Sequence, residues 1–209
     1  AGRNEGQGQC AEGGVWNTLA GFVVQPATKT VAGNPRGGYA GTADAPKITQ
    51  LAQVATEAEQ RSATGITELD RVLGGGLVAG SVVLIGGDPG IGKSTLMTQA
   101  ASRIAGRGSP VARHLSPVTP ATVLYISGEE SGQQIKLRSE RLGALAESFL
   151  VVNETDIGAI LHHIEATKPD MVVVDSIQTT YDSRLESAPG TASQIRDCAA
   201  ALARMAKGG

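Results

Sequence analysis

The chain has 209 residues, room for one domain of ordinary size with some chain to spare. Hydrophobic residues make up 41% and charged residues 18%, the balance of a globular protein rather than a disordered one. The net charge of −2 excludes a global attraction to nucleic acid, so any such contact must come from a local patch. No apolar run approaches the ~20 residues that cross a bilayer, and no basic-then-apolar leader opens the chain, so the expectation is no membrane contact and a cytoplasmic protein. Cys10 and Cys198 lie far apart and make no disulfide framework.

Residues 1–45 are glycine-rich and poor in periodic apolar positions. They contain Cys10, Trp16, Asn17 and Thr18, then one short apolar run, Phe22-Val23-Val24, in a segment that otherwise reads as flexible. Residues 46–63, with Ile48, Leu51 and Val54, read as a linker with a short helix. A helix is expected over 64–73, with Thr67 as N-cap and Asp70 three residues on, ended by Gly74-Gly75-Gly76. Val82-Val83-Leu84-Ile85 then reads as a buried parallel strand.

A glycine-rich turn follows that strand and matches G-x-x-x-x-G-K-[ST] from Gly87 to Ser94, through Asp88, Pro89, Gly90, Ile91, Gly92 and Lys93, with Thr95 beyond. The recurrence of Leu96, Met97, Ala100, Ala101 and Ile104 predicts a helix directly after it. Strand, loop and helix are the setting a phosphate-binding loop requires. Glycines let successive backbone N–H groups face phosphate oxygens, and the helix N-terminus adds partial positive charge. Lys93 supplies a full charge to the β- and γ-phosphates, and the Ser94 hydroxyl is a Mg²⁺ ligand. The pattern predicts binding of a nucleoside triphosphate with Mg²⁺.

Residues 106–121 carry three prolines and read as a surface loop, with His114 solvated. A strand over 123–126 leads to Ser127-Gly128-Glu129-Glu130-Ser131, and Ser131 caps a helix running to Leu142 and closed by Gly143. A third strand spans 149–152. Thr155 caps a helix whose Ile157, Ile160, Leu161 and Ile164 share one face, with Lys168 near its end and Pro169 after it. His162 and His163 are adjacent on that helix, point in different directions and cannot share a metal. The fourth strand, Met171-Val172-Val173-Val174-Asp175-Ser176, ends in a carboxylate. An irregular segment over 179–190 precedes a last helix, with capping-box spacing at Thr191 and Gln194 and a stripe of Ile195, Cys198, Leu202 and Met205. Strands alternating with helices predict an α/β fold, a parallel sheet with helices on both faces.

Four apolar residues before Asp175 match the second nucleotide motif, whose aspartate holds the metal shell. Hydrolysis also needs a group that orients or deprotonates water. Glu129 is placed for this at the carboxyl end of its strand, where ligands sit in such sheets, and Glu130 is its nearest rival.

The stretches 64–76, 86–95 and 125–131, with Gln134-Ile135-Lys136-Leu137-Arg138, Glu140-Arg141-Leu142-Gly143 and Asp175-Ser176-Ile177-Gln178-Thr179 through Ser187-Ala188-Pro189-Gly190, resemble the RadA (Sms) family of RecA-like ATPases over about residues 61–207. The resemblance implies a RecA-like P-loop core over 64–209 and a DNA-stimulated ATPase acting in recombination and repair by branch migration on single-stranded DNA. It also implies a homo-oligomeric, hexameric ring with nucleotide at subunit interfaces. In motif position Lys93 and Ser94 take the phosphate and Mg²⁺ roles, Glu129 the water-activating role and Asp175 the metal-shell role. The segment 178–194 corresponds to the first DNA-facing loop, with Gln178, Arg184 and Arg196 in or beside it as DNA-contact candidates.

Departures from the family pattern carry expectations of their own. The family opens on a four-cysteine zinc finger, whereas residues 10–18 keep Cys10 alone with glycine at the last ligand position, so no zinc site is predicted. The family also continues past the last helix into a strand that lies between the aspartate strand and the phosphate-loop strand. The core is therefore expected to be C-terminally incomplete, with either a gap of about 10 Å between those strands or a direct pairing that misplaces Asp175. Lowered stability and weak or absent hydrolysis would follow. Two other readings stand beside the enzyme: a non-hydrolysing nucleotide- or DNA-binding fragment, and a different RecA-like ATPase.

Overall fold

The computed structural model describes residues 50–53, 61–106, 120–143 and 145–208, together with the backbone of 20–24. The zinc-finger remnant at 10–18, most of the 106–121 loop with His114, and most of the 46–60 linker lie outside the described residues. Seven strands are present among the described residues: β1 (Ala20–Val24), β2 (Arg61–Ser62), β3 (Leu77–Val78), β4 (Val82–Ile85), β5 (Val123–Ser127), β6 (Phe149–Asn153) and β7 (Met171–Asp175). The helices are α1 (Thr67–Val72), α2 (Lys93–Ala105), α3 (Gly132–Arg141), α4 (Ile157–Thr167) and α5 (Ala192–Ala206), with a single 3₁₀ turn at Leu51–Gln53. The five-stranded sheet runs β4-β1-β7-β5-β6, and β2 pairs with β3 beside it.

Strands β7, β5 and β6 are parallel, joined by α3 and α4 as the alternation predicts. Period-2 geometry splits their side chains between two cores. Val123, Tyr125, Met171 and Val173 face α2, whose Met97, Ala100, Ala101 and Ile104 fill that side. Leu124, Ile126, Val172 and Val174 face Ile157, Ile160 and Ile164 of α4 and Cys198 and Leu202 of α5. Helices therefore cover both faces, as expected.

Three expectations are corrected. The slot between β4 and β7 is neither empty nor closed by direct pairing, because β1 fills it, antiparallel to both neighbours. Its apolar run, Phe22-Val23-Val24, belongs to the sheet rather than to a separate N-terminal segment. Next, β4 is an edge strand and not a buried one: Val83 and Ile85 pack toward α2, while Val82 is 44% and Leu84 62% exposed. Position in the sheet, which four apolar residues do not encode, decides this. The helix starts also differ. Thr67 opens α1 without capping it, since Ile66 holds the N-cap position with no side-chain bond. Asp70 instead accepts from Thr64 N, Thr64 Oγ1 and Gly65 N at 2.6–3.1 Å, binding the loop before the helix. For α4, Asp156 rather than Thr155 caps, accepting from Ala159 N at 3.1 Å.

The start of α3 and the end of α4 follow the sequence closely. Ser131 and Gln134 form the reciprocal capping box of α3, and Lys168 ends α4 in a left-handed conformation at φ 46°. Cys198 is 1% exposed, and burial first, then the charges of Asp182, Asp197 and Asp156, push its thiol up to about 11. At pH 8 only about 0.1% is then thiolate, so Cys198 in the folded chain should alkylate with iodoacetamide far more slowly than in urea. Peptide mapping separates it from Cys10; equal rates at Cys198 in the two states would refute this burial.

Candidate functional site

The carboxyl ends of β4, β7 and β5 lie at one edge of the sheet, and the pairing register sets their level. Ala20 stands opposite Ile85 on one side and Asp175 on the other, and Ser127 stands opposite Asp175. The loop after β4, the carboxylate ending β7 and the acidic turn after β5 therefore converge. They border a cleft of about 760 Å³ lined by Pro89, Gly90, Gly92, Lys93, Ser94, Thr95, Glu129, Glu130 and Asp175, together with Gln134, Leu137, Arg138 and Arg141 of α3 and its C-cap Leu142.

In the loop, Gly90 at φ 78° and Gly92 at φ 102° adopt conformations that side chains disfavour, and Gly92 is the N-cap of α2. No atom beyond the immediate chain neighbours lies within 4 Å of where a β-carbon would stand on either, so the backbone is open to close approach by a ligand. The Lys93 ammonium donates to the carbonyls of Gly87 and Asp88, both at 2.7 Å, which fixes it across the loop. Thr98 Oγ1 donates to the carbonyl of Ser94 at 2.7 Å one turn on. Gly87, Asp88 and Ile91 shape the loop without lining the cleft, and Ile91 is 70% exposed.

The acidic groups are each held by a neighbour. Tyr125 Oη donates to Asp175 Oδ2 at 2.6 Å, from one side chain of the α2 face to the next. Burial, then the Asp175 carboxylate, raise the Tyr125 phenol well above its ordinary value, so it remains a donor. Ser176 Oγ, 1% exposed, donates to Glu129 Oε1 at 3.1 Å. Glu130 pairs instead with Arg138 of α3. Its carbonyl accepts from Ser127 Oγ at 2.8 Å and from Asn153 Nδ2 at 2.5 Å. The two neighbouring glutamates thus differ: Glu129 is exposed and oriented by a neutral hydroxyl, Glu130 is neutralised by a cation.

Gly128, between them and β5, has its N–H on the Asp175 carbonyl at 2.9 Å, and Thr179 packs so close that no β-carbon fits. Tyr125, Ser176 and Arg138 are the functional neighbours that sequence reasoning passed over. Only Ser176, adjacent to Asp175, left a signal by position.

The DNA-contact candidates lie away from this cleft. Arg184 grips Asp182 with two bonds of 2.7 and 2.8 Å, and Arg196 lies 3.5 Å from Asp197. Gln178 is half-buried at the start of the segment. Arg184, chiefly by its hydrogen bond, holds the Asp182 carboxyl down at about 2. The segment is tied to the fold at two points: Tyr181 exchanges backbone bonds with Thr155 and Ile157, and Gln194, 1% exposed, accepts from Asp182 N and donates to Ser187 O, both at 2.7 Å. Of the expected Thr191–Gln194 capping box, the Thr191 half is made; the Gln194 side chain anchors the loop instead.

Among the described residues no group of three or more His, Cys, Asp or Glu is placed to hold a metal ion, and no helix is long and apolar enough to cross a membrane.

Residues 46–208 match the family model of an AAA domain. A DNA repair protein RadA of Pseudomonas aeruginosa is 47% identical over 200 residues, which cover 96% of this chain and 40% of that protein. RadA proteins of Listeria monocytogenes and Bacillus subtilis are 44% and 43% identical over the same shares, 96% and 40%. The chain thus spans about 40% of the length of these relatives.

Proposed function

The chain belongs to the RadA family of AAA-domain proteins, and from that premise we propose that it binds Mg·ATP and hydrolyses it under stimulation by single-stranded DNA, as part of a DNA repair and recombination activity. The observation that carries this reading is the convergence of Lys93, Ser94, Glu129 and Asp175 on one cleft at the carboxyl edge of the sheet. The residues fit the ligand. Open glycine backbone at a helix start suits phosphate oxygens, and Lys93 adds the charge they require.

Ser94 and Asp175 would hold Mg²⁺, which neutralises charge on the phosphates. Tyr125 occupies one oxygen of Asp175, so the other oxygen would be the one to serve the metal. Glu129 is the group that orients and deprotonates water, and Ser176 fixes one of its oxygens so that the other can point into the cleft. The pairing of Glu130 with Arg138 favours Glu129 over its neighbour for this work.

DNA contact falls to the 178–194 segment. The Arg184 side chain is 78% exposed, so solvent and salt screen its pair with Asp182 and a phosphate can compete for the guanidinium. Assembly into a hexameric ring belongs to the same reading and is measured by sedimentation.

ATP binding and turnover should be measured separately with Mg²⁺, with and without single-stranded DNA. The expected result is binding, with turnover that rises when DNA is added. Binding without turnover in either condition would assign the chain to the non-hydrolysing alternative. Absence of binding would remove the nucleotide reading itself.

A further inference from the structure

Resting on the nucleotide reading above, we infer that Arg138 is a cation for the terminal phosphate of the triphosphate, held in reserve on Glu130. Its side chain is only 14% exposed and lines the same cleft as Lys93, Ser94 and Asp175. It reaches in from α3, which packs on α2, the helix that starts at the glycine loop. Its charge is felt at the Tyr125 hydroxyl, the group that donates to Asp175. Its pairing with Glu130, next to Glu129, and its influence on Tyr125, which holds Asp175, put Arg138 on the acidic side of the cleft, where the proposal seats the terminal phosphate.

Charge balance explains the reserve. Among the described residues the lining cations Lys93, Arg138 and Arg141 face the anions Glu129, Glu130 and Asp175 in equal number. Glu130 is the fixed member of its pair, since Ser127 and Asn153 pin its backbone, whereas Arg138 projects on a long, flexible stem. A guanidinium binds carboxylate and phosphate in the same two-pronged manner. An arriving γ-phosphate, richer in charge than a carboxylate, competes for Arg138 where Glu130 now holds it. A diphosphate ends short of that position. The device distinguishes ATP from ADP within one chain.

The test uses the purified chain, Mg²⁺, the β,γ-imido analogue of ATP, and ADP, with dissociation constants from calorimetry and melting curves for folding. Arg138→Gln should weaken analogue binding about tenfold while changing ADP affinity less than twofold. Glu130→Gln releases Arg138 and should tighten analogue binding severalfold, again sparing ADP. Equal losses for both nucleotides in Arg138→Gln, or no loss for either, would overturn the inference and leave the nucleotide reading standing. If the parent chain binds neither nucleotide, both fall.

Discussion

Replacing Lys93 by alanine lowers affinity for Mg·ATP on the order of 100-fold, with little change in melting temperature. Lys93 is the one lysine lining the cleft among the described residues, and hydrogen bonds to charged groups are worth about 1.5–3 kcal/mol each. Loss of its two phosphate contacts, offset by the carbonyl bonds it must give up, leaves a deficit of about 3 kcal/mol. The side chain is half-buried on the loop and belongs to neither core, so the fold loses only its bonds to Gly87 and Asp88. Binding of a fluorescent ATP analogue measures the deficit, and the melting curve shows whether the fold is intact. An unchanged dissociation constant would mean that triphosphate does not sit on this loop. A loss accompanied by a large fall in melting temperature would mean that Lys93 supports structure.

Much of the site was legible in the sequence because its parts are local. The glycine loop, its helix and the aspartate at the end of β7 are each read within about ten residues. The partners of those residues are not. Tyr125 and Asp175 are 50 positions apart, and Ser176 and Glu129 are 47 apart. Only the parallel register of β5 and β7 makes them neighbours, and no periodicity within either strand records it.

Caps show the same division. Ser131 and Gln134 close on each other within one turn, as read. Gln194 had the same spacing from Thr191, yet its amide is drawn 12 positions back to Asp182, because a buried amide bridging two loop carbonyls and an N–H satisfies more groups than a cap. Asp70 fails as a partner of Thr67 for a similar reason, since three donors of the preceding loop claim it first.

Strand β1 is where sequence reasoning had least purchase, and there a single substitution should have a large effect on stability. Three apolar residues in a glycine-rich stretch give neither direction nor partner, and the sheet that receives them is assembled from residues more than 50 positions downstream. Once in place, β1 carries ladder bonds on both sides, and proline is excluded from such central strands because it has no N–H to give. Phe22→Pro should therefore cost about 3 kcal/mol or more, a large fraction of the 5–15 kcal/mol typical of a domain.

It should also weaken nucleotide binding, because Ala20 alone stands level with both Ile85, before the glycine loop, and Asp175. The control is Ile164→Ala on α4. That residue is 0% exposed in the core on the other face of the sheet, and its truncation should cost about 2–5 kcal/mol without moving the cleft. Both variants should melt early in chemical denaturation, and only Phe22→Pro should lose affinity for the ATP analogue at a temperature where both remain folded. If Phe22→Pro melts and binds as the parent does, β1 does not set the spacing between the glycine loop and Asp175. If both variants lose affinity alike, the loss reports general destabilisation and the register argument fails.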